Sequence, residues 1–195
     1  MDRRSKLIVA IVTVPLAILG VGATYAQTHD KYTVKVPGGL AFAEFKGYES
    51  WQMISVSRQA AKSGDSRGDG SFAVILGNPA MIAALEAGIP DNGKSFPDGA
   101  KMAKMHYAQA ELAQFPTAMV ASTQIDIDFM AKDSTRFADG GGWGYAAFAY
   151  DATAKAFTPF TTQNTPPQAN DAKCGVACHT VAKSRDYVFT RYVTR

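Results

Sequence analysis

The chain of 195 residues has only two cysteines and little excess charge of either sign. Its formal net charge is +3, from 20 basic and 17 acidic residues, and it contains no internal repeat. A chain without a basic field has little attraction for nucleic acid or anionic lipid, so we expect no nucleic-acid partner. The apolar fraction of 47% and the charged fraction of 19% are those of an ordinary globular protein.

Long apolar runs are also lacking, apart from residues 7–22 (LIVAIVTVPLAILGVG), which follow a basic start. This run is shorter than the roughly 20 residues that a membrane-spanning helix needs, and Pro15 interrupts it. A basic start, a short apolar run and small residues leading to Ala26 are typical of a secretory signal peptide. We therefore expect residues 1–26 to direct export to the periplasm and residues 27–195 to form the mature domain. An N-terminal membrane anchor is the alternative.

The two cysteines lie in one motif near the C-terminus, Cys174-Gly-Val-Ala-Cys178-His179. Two cysteines followed by a histidine are typical of c-type haem, in which the thiols bond the vinyl groups and the histidine binds the iron. The usual motif has two residues between the cysteines, whereas this one has three. We expect Gly175 to ease a one-residue bulge that brings Cys174 to its vinyl group. Attachment through Cys178 alone and a structural disulfide are the alternatives.

The remaining pattern predicts strands separated by glycine- and proline-rich loops. The predicted strands cover residues 51–58, 72–76, 101–107, 117–130 and 143–150. A short helix is predicted after Asn78-Pro79, ending before Gly88. We therefore expect a mainly β fold: a single domain with an antiparallel sheet, a few short helices and one covalently attached haem.

Two predicted strands carry polar side chains on defined faces. Lys104 and His106 share one face of the first, and Asp126, Asp128 and Met130 share one face of the second. A haem iron bound by one histidine leaves a face open to a small molecule. In an alternative, His106 or Met130 supplies a second iron ligand and the protein is a six-coordinate electron carrier.

Three segments together resemble the cytochrome P-460 family. They are FPDGAKMAK (96–104), MAKDSTRFADGGGWGY (130–145) and CGVACHTVAKSRDYVFTRY (174–192), within a resemblance that extends over residues 38–195. The resemblance implies a mainly β, periplasmic domain with one haem c per chain, often dimeric. Some members oxidise hydroxylamine to nitrous oxide or nitrite, whereas the β-type cytochromes c′ bind nitric oxide or carbon monoxide.

The resemblance also implies roles for single residues. His179 matches the iron ligand, and Cys174 and Cys178 match the thioether attachment points. Lys104 matches the lysine that hydroxylamine-oxidising members join covalently to the haem rim. Asp128 matches a carboxylate of the distal pocket, where those members carry glutamate. With Lys104 and Asp128 as catalytic residues, we expect an oxidoreductase acting on hydroxylamine or a related nitrogen compound, with a soluble electron acceptor. A cytochrome c′-like binder of nitric oxide or carbon monoxide is the alternative, and a homodimer is expected.

The aromatic residues of the predicted fifth strand are expected to be structural. We expect Trp143, Tyr145 and Phe148 to pack in the core and not around a cofactor. The family architecture also suggests that Phe72 and Phe129 form walls of the distal pocket.

Overall fold

Six strands form one antiparallel sheet in which each strand pairs with the next along the chain. The structure, a computed structural model, describes residues 30–36, 39–60, 70–160 and 172–193. The strands are β1 (Gln52–Ala60), β2 (Gly70–Gly77), β3 (Lys101–Leu112), β4 (Phe115–Lys132), β5 (Trp143–Asp151) and β6 (Ala156–Pro159). The prediction of a mainly β, single-domain fold is confirmed, and β6 is a strand that the sequence pattern did not predict.

The helices are short. They are α1 (Pro79–Glu86), α2 (Ala172–His179) and 3₁₀ helices at Lys31–Thr33, Phe42–Phe45, Tyr48–Ser50, Ala138–Gly140 and Thr180–Arg185. At the start of α1, the Asn78 side chain accepts a hydrogen bond from the Met81 N–H at 3.0 Å, as expected for a helix N-cap. Within the four described ranges, no helix has the length and apolar character to cross a membrane. The predicted signal peptide at residues 1–26 lies outside those ranges.

Each face of the sheet carries its own hydrophobic core, because successive side chains of a strand point to opposite faces. On the first face, the 3₁₀ helices near the N-terminus bring aromatic rings onto the sheet, and Phe45 stacks on Phe129 at a centroid distance of 4.0 Å. On the second face, α1 and the C-terminal segment cover a core that includes Met102, Met130 and Trp143. Each fully buried side chain of this size stabilises the fold by about 1.5–3 kcal/mol.

The β3–β4 pair brings the predicted site residues together. Lys104 lies directly opposite Asp128, and His106 lies opposite Asp126. The predicted faces are confirmed: these four side chains belong to the second face, whereas the Lys101 amine donates to the Glu44 carbonyl at 2.6 Å on the first face. Both strands are longer than predicted, and the far end of their hairpin is exposed.

Candidate functional site

The second face of the sheet contains a cavity of about 620 Å³, a volume typical of cofactor and ligand sites. Strands β1 to β5 form one wall, and α2 with residues 188–190 forms the other. Four of the predicted site residues line it: Lys104, Asp128, Cys178 and His179. The fifth, Cys174, lies in α2, and its side chain is outside the described part of the structure.

His179, the last residue of α2, is oriented by a hydrogen bond. Its Nδ1 lies 2.6 Å from the backbone oxygen of Tyr187. Because a carbonyl oxygen only accepts hydrogen bonds, Nδ1 carries the hydrogen and Nε2 keeps a lone pair that can bind a metal. The rings of Tyr145 and Phe189 contact the imidazole, each at a centroid distance of 4.9 Å.

The charge state of His179 follows from its surroundings. Burial lowers the pKa of this imidazole below its ordinary value of 6.5, although the hydrogen bond to Tyr187 acts in the opposite direction. The positive charge of Lys104 lowers the pKa further. The imidazole is therefore neutral at pH 7, which is the form that binds metal ions.

The segment that supplies the Tyr187 carbonyl is itself held by buried contacts. The Asp186 carboxylate accepts hydrogen bonds from the Lys132 amine at 2.9 Å and from the Phe96 N–H at 2.8 Å. Asp186 and Tyr187 both adopt left-handed backbone conformations, with φ of 47° and 65°. A β-carbon at Gly141 would lie 2.2 Å from the Tyr187 ring, so only glycine fits at that contact. These contacts place the carbonyl that orients His179.

The cysteine motif forms a regular α-helix, and the predicted bulge is wrong. Cys174 and Cys178 occupy positions four residues apart, which lie one turn apart on one face of a helix. Gly175 serves packing instead, because a β-carbon there would lie 2.4 Å from Cγ of Tyr145. Cys178 is an exposed free thiol, so the alternative of a disulfide between the two cysteines is not realised.

These features fit a covalently attached haem. The cavity places a free thiol beside a neutral imidazole whose Nε2 is available to a metal. The close contact between Gly175 and Tyr145 seats α2 against β5, which brings the motif to the edge of the cavity. A soft thiol, an imidazole and a largely apolar cavity are the surroundings that c-type haem needs.

Lys104 and Asp128 meet across the β3–β4 ladder, where β-carbons of directly paired residues are about 5 Å apart. Lys104 is half-buried, and its charge acts on His179 across the cavity. The Asp128 side chain lines the cavity and is 38% exposed. A cation and a carboxylate thus lie side by side opposite the imidazole.

The aromatic residues discussed in the sequence analysis lie partly in the core and partly beside the cavity. Phe129 borders the cavity in β4, but its ring packs on Phe45 on the first face of the sheet, and Phe72 is not among the lining residues. Trp143, Tyr145 and Phe148 are core residues as expected, and Tyr145 also lines the cavity. Burial raises the pKa of the Tyr145 hydroxyl, and the neighbouring Tyr187 and Asp186 raise it further. This hydroxyl therefore stays protonated.

Sequence reasoning missed a buried His–Asp pair beside Asp128. His106 is fully buried, and its Nδ1 is hydrogen-bonded to the Asp126 carboxylate, also buried. Asp128 Oδ2 lies 3.8 Å from the same nitrogen, and the ligand atoms of all three residues lie within 4.8 Å of one another. His106 does not line the cavity, so it is not placed to be an iron ligand. The sequence did contain an indication of this pair. Alternation puts Asp126 and Asp128 on one face of their strand, and the neighbouring strand carries a histidine.

Comparison with known proteins identifies the family of the chain. A family model described as Cytochrome P460 matches residues 45–190, a span that contains all six strands, both α-helices and the cavity. No curated protein matches the chain.

Proposed function

Because the chain belongs to the cytochrome P460 family and is therefore a haem-binding cytochrome, we propose that it is an exported oxidoreductase of hydroxylamine or a related small nitrogen compound. One observation carries the proposal: Lys104 and Asp128 are paired across β3 and β4 and line the same cavity as Cys178 and His179. A lysine and a distal carboxylate are the groups that the resemblance assigns to the hydroxylamine-oxidising members, which carry glutamate where this chain has Asp128.

His179, the two cysteines and Lys104 would each hold the haem at a different point. His179 Nε2 is the iron ligand, and the thiols of Cys174 and Cys178 are the attachment points of a haem c. The Lys104 amine, on the opposite wall, is the group that would join the haem rim. When bound, the haem supplies an iron that can take up the electrons of the substrate.

The Asp128 carboxylate acts as general base in this proposal. Oxidation of hydroxylamine releases protons together with electrons, and Asp128 takes a proton from the N–H or O–H of the substrate. The electrons leave to a soluble acceptor. Because part of Asp128 is exposed, its carboxylate can return the proton to solvent after each turnover. General-base catalysis of this kind contributes about 10²–10⁴-fold in rate.

Export and assembly are further parts of the proposal. Haem c is attached outside the cytoplasm, which agrees with residues 1–26 acting as a signal peptide to the periplasm. A homodimer is the assembly that the family resemblance favours. Sedimentation of the purified, haem-loaded protein measures the assembly, and N-terminal sequencing of that protein locates the cleavage site.

A binder of nitric oxide or carbon monoxide is the second candidate function. It is favoured by the apolar part of the cavity lining, which includes Ile75, Met102 and Val188. Small uncharged gases need no proton transfer, so such a protein would have no use for the Asp128 carboxylate.

Substitution of Asp128 tests the two functions against each other. We expect Asp128→Ala to lower hydroxylamine-dependent reduction of an electron acceptor by about 10²–10⁴-fold, because the base is lost. Nitric oxide binding should be retained, and Asp128→Glu should keep turnover, because it keeps the carboxylate. Glu111→Ala, which removes an exposed carboxylate of β3, is the matched control. Unchanged turnover in Asp128→Ala would remove Asp128 from the mechanism, and wild-type protein that binds nitric oxide without any turnover would favour the gas binder.

A further inference from the structure

The proposed function leaves a buried titratable pair without a role. His106 and Asp126 have side-chain exposures of 0% and 3%, and they are joined by a hydrogen bond at His106 Nδ1. Asp128 Oδ2 approaches the same nitrogen to 3.8 Å. Two carboxylates therefore converge on one ring nitrogen at the edge of the cavity.

The described residues of β2 and β5 that pair with this cluster are uncharged. Ala73 of β2 lies opposite His106, and Ala149 and Ala147 of β5 lie opposite Asp126 and Asp128. Ser71 of β2, on the same face, is buried and uncharged. The charged groups near Asp128 include His106, Asp126 and the adjacent Lys104, with His179 across the cavity.

Electrostatics then couples the three side chains. Two carboxylates that share a site do not both stay ionised without a compensating proton or cation. When groups interact this closely, protons leave the cluster in steps that belong to the group and not to one residue. The negative charge of Asp126 strengthens the hold of Asp128 on a proton, and a positive charge on His106 weakens it.

We propose that His106 and Asp126 are positioning residues that set the proton occupancy of Asp128. This inference rests on the proposed function only in taking Asp128 as the base. The transferred proton moves from the substrate to the Asp128 carboxylate and from its exposed side to solvent. His106 and Asp126 determine the pH at which that carboxylate is free to accept it.

Cyanide association with the oxidised, haem-loaded protein tests the coupling without turnover. Hydrogen cyanide binds iron as the anion and must give its proton to a nearby base. We expect the association rate to fall as Asp128 becomes protonated at low pH. In Asp126→Asn the midpoint of this fall should move to lower pH by about one pH unit, because a like charge is removed. In His106→Asn it should move to higher pH, because the only group of the cluster that can become positive is removed.

Shifts of opposite sign separate the proposal from a merely structural role. If His106 and Asp126 only fasten β3 to β4, both variants would lower the melting temperature and leave the midpoint at the wild-type pH, which would overturn the proposal. Asp128→Asn should abolish the fall of the cyanide association rate at low pH. A fall that persists in this variant would also overturn the proposal. Asp151→Asn, at the end of β5, is the control and should keep the midpoint. If His106→Asn does not fold, the sign of the Asp126→Asn shift decides.

The proposed function and the role of His106 and Asp126 can be refuted separately. Absence of hydroxylamine oxidation by the wild-type protein would refute the oxidoreductase assignment and leave the cyanide midpoints and their shifts intact.

Discussion

Gly175 sits at the closest contact between α2 and the sheet, and it shows how one residue positions a cofactor motif. Its α-carbon faces the Tyr145 ring so closely that any side chain would overlap Cγ, Cβ and Cδ1 of the tyrosine. The same tyrosine contacts the His179 imidazole. A shift of α2 at Gly175 would therefore move both the thiol and the imidazole relative to the cavity.

Gly175→Ala is expected to destabilise the protein by about 1–3 kcal/mol, because overpacking forces neighbouring groups to move. The fraction of purified chains with covalently bound haem should fall as well, since α2 would be displaced from β5. Thermal unfolding and the absorbance of the haem per chain measure the two effects. Ala177→Ser, which adds one atom on the exposed side of α2, is the control. Equal stability and haem content in both variants would contradict the packing role of Gly175.

At the scale of elements, one buried ion pair helps to hold the C-terminal segment on the sheet. Lys132, the last residue of β4, and Asp186 have exposures of 6% and 9% and a separation of 2.9 Å. The next residue along the chain, Tyr187, carries the carbonyl that orients His179. The ion pair thus links the end of β4 to the orientation of the proposed iron ligand.

Lys132→Met is expected to lower the free energy of unfolding by about 3–5 kcal/mol, because it leaves the Asp186 carboxylate buried without its cation. Combining it with Asp186→Asn should recover part of the loss, since the uncompensated charge is then removed. Denaturant unfolding followed by circular dichroism measures all three proteins. The exposed Lys94→Met should stay within about 0.5 kcal/mol of wild type. A Lys132→Met protein as stable as this control would show that the pair does not fasten the segment.

For the whole molecule, the sequence predicts the sheet better than it predicts the site. Alternation of apolar and polar residues indicates which side chains of one strand share a face, and it grouped Lys104 with His106 and Asp126 with Asp128 correctly. Alternation does not indicate register, which depends on where the β3–β4 hairpin turns and on its bulges. The pairing of Lys104 with Asp128 therefore had to come from the structure.

The sequence pattern also did not predict how deeply the polar side chains are buried. Asp126 looks like a solvated strand residue, yet it is buried because His106 of β3 lies opposite it and the sheet face around it is covered. The helical form of the cysteine motif was missed for a related reason. Compared with the usual motif, the third residue between the cysteines suggests a bulge. In an α-helix, however, two cysteines four positions apart are separated by about one turn. Packing against Tyr145 stabilises that helix, and such a contact spans distant parts of the chain.

The central claim is that one haem occupies this cavity, bound by Cys178 and His179 and joined to Lys104. The most direct measurement is the absorption spectrum, oxidised and then reduced, of protein purified from a host that matures c-type haem. We expect a strongly red-shifted Soret band on reduction, and its return to the ordinary c-type position in Lys104→Ala. An ordinary c-type Soret band in the wild-type protein would contradict the bond to Lys104, and colourless protein would contradict the haem site itself.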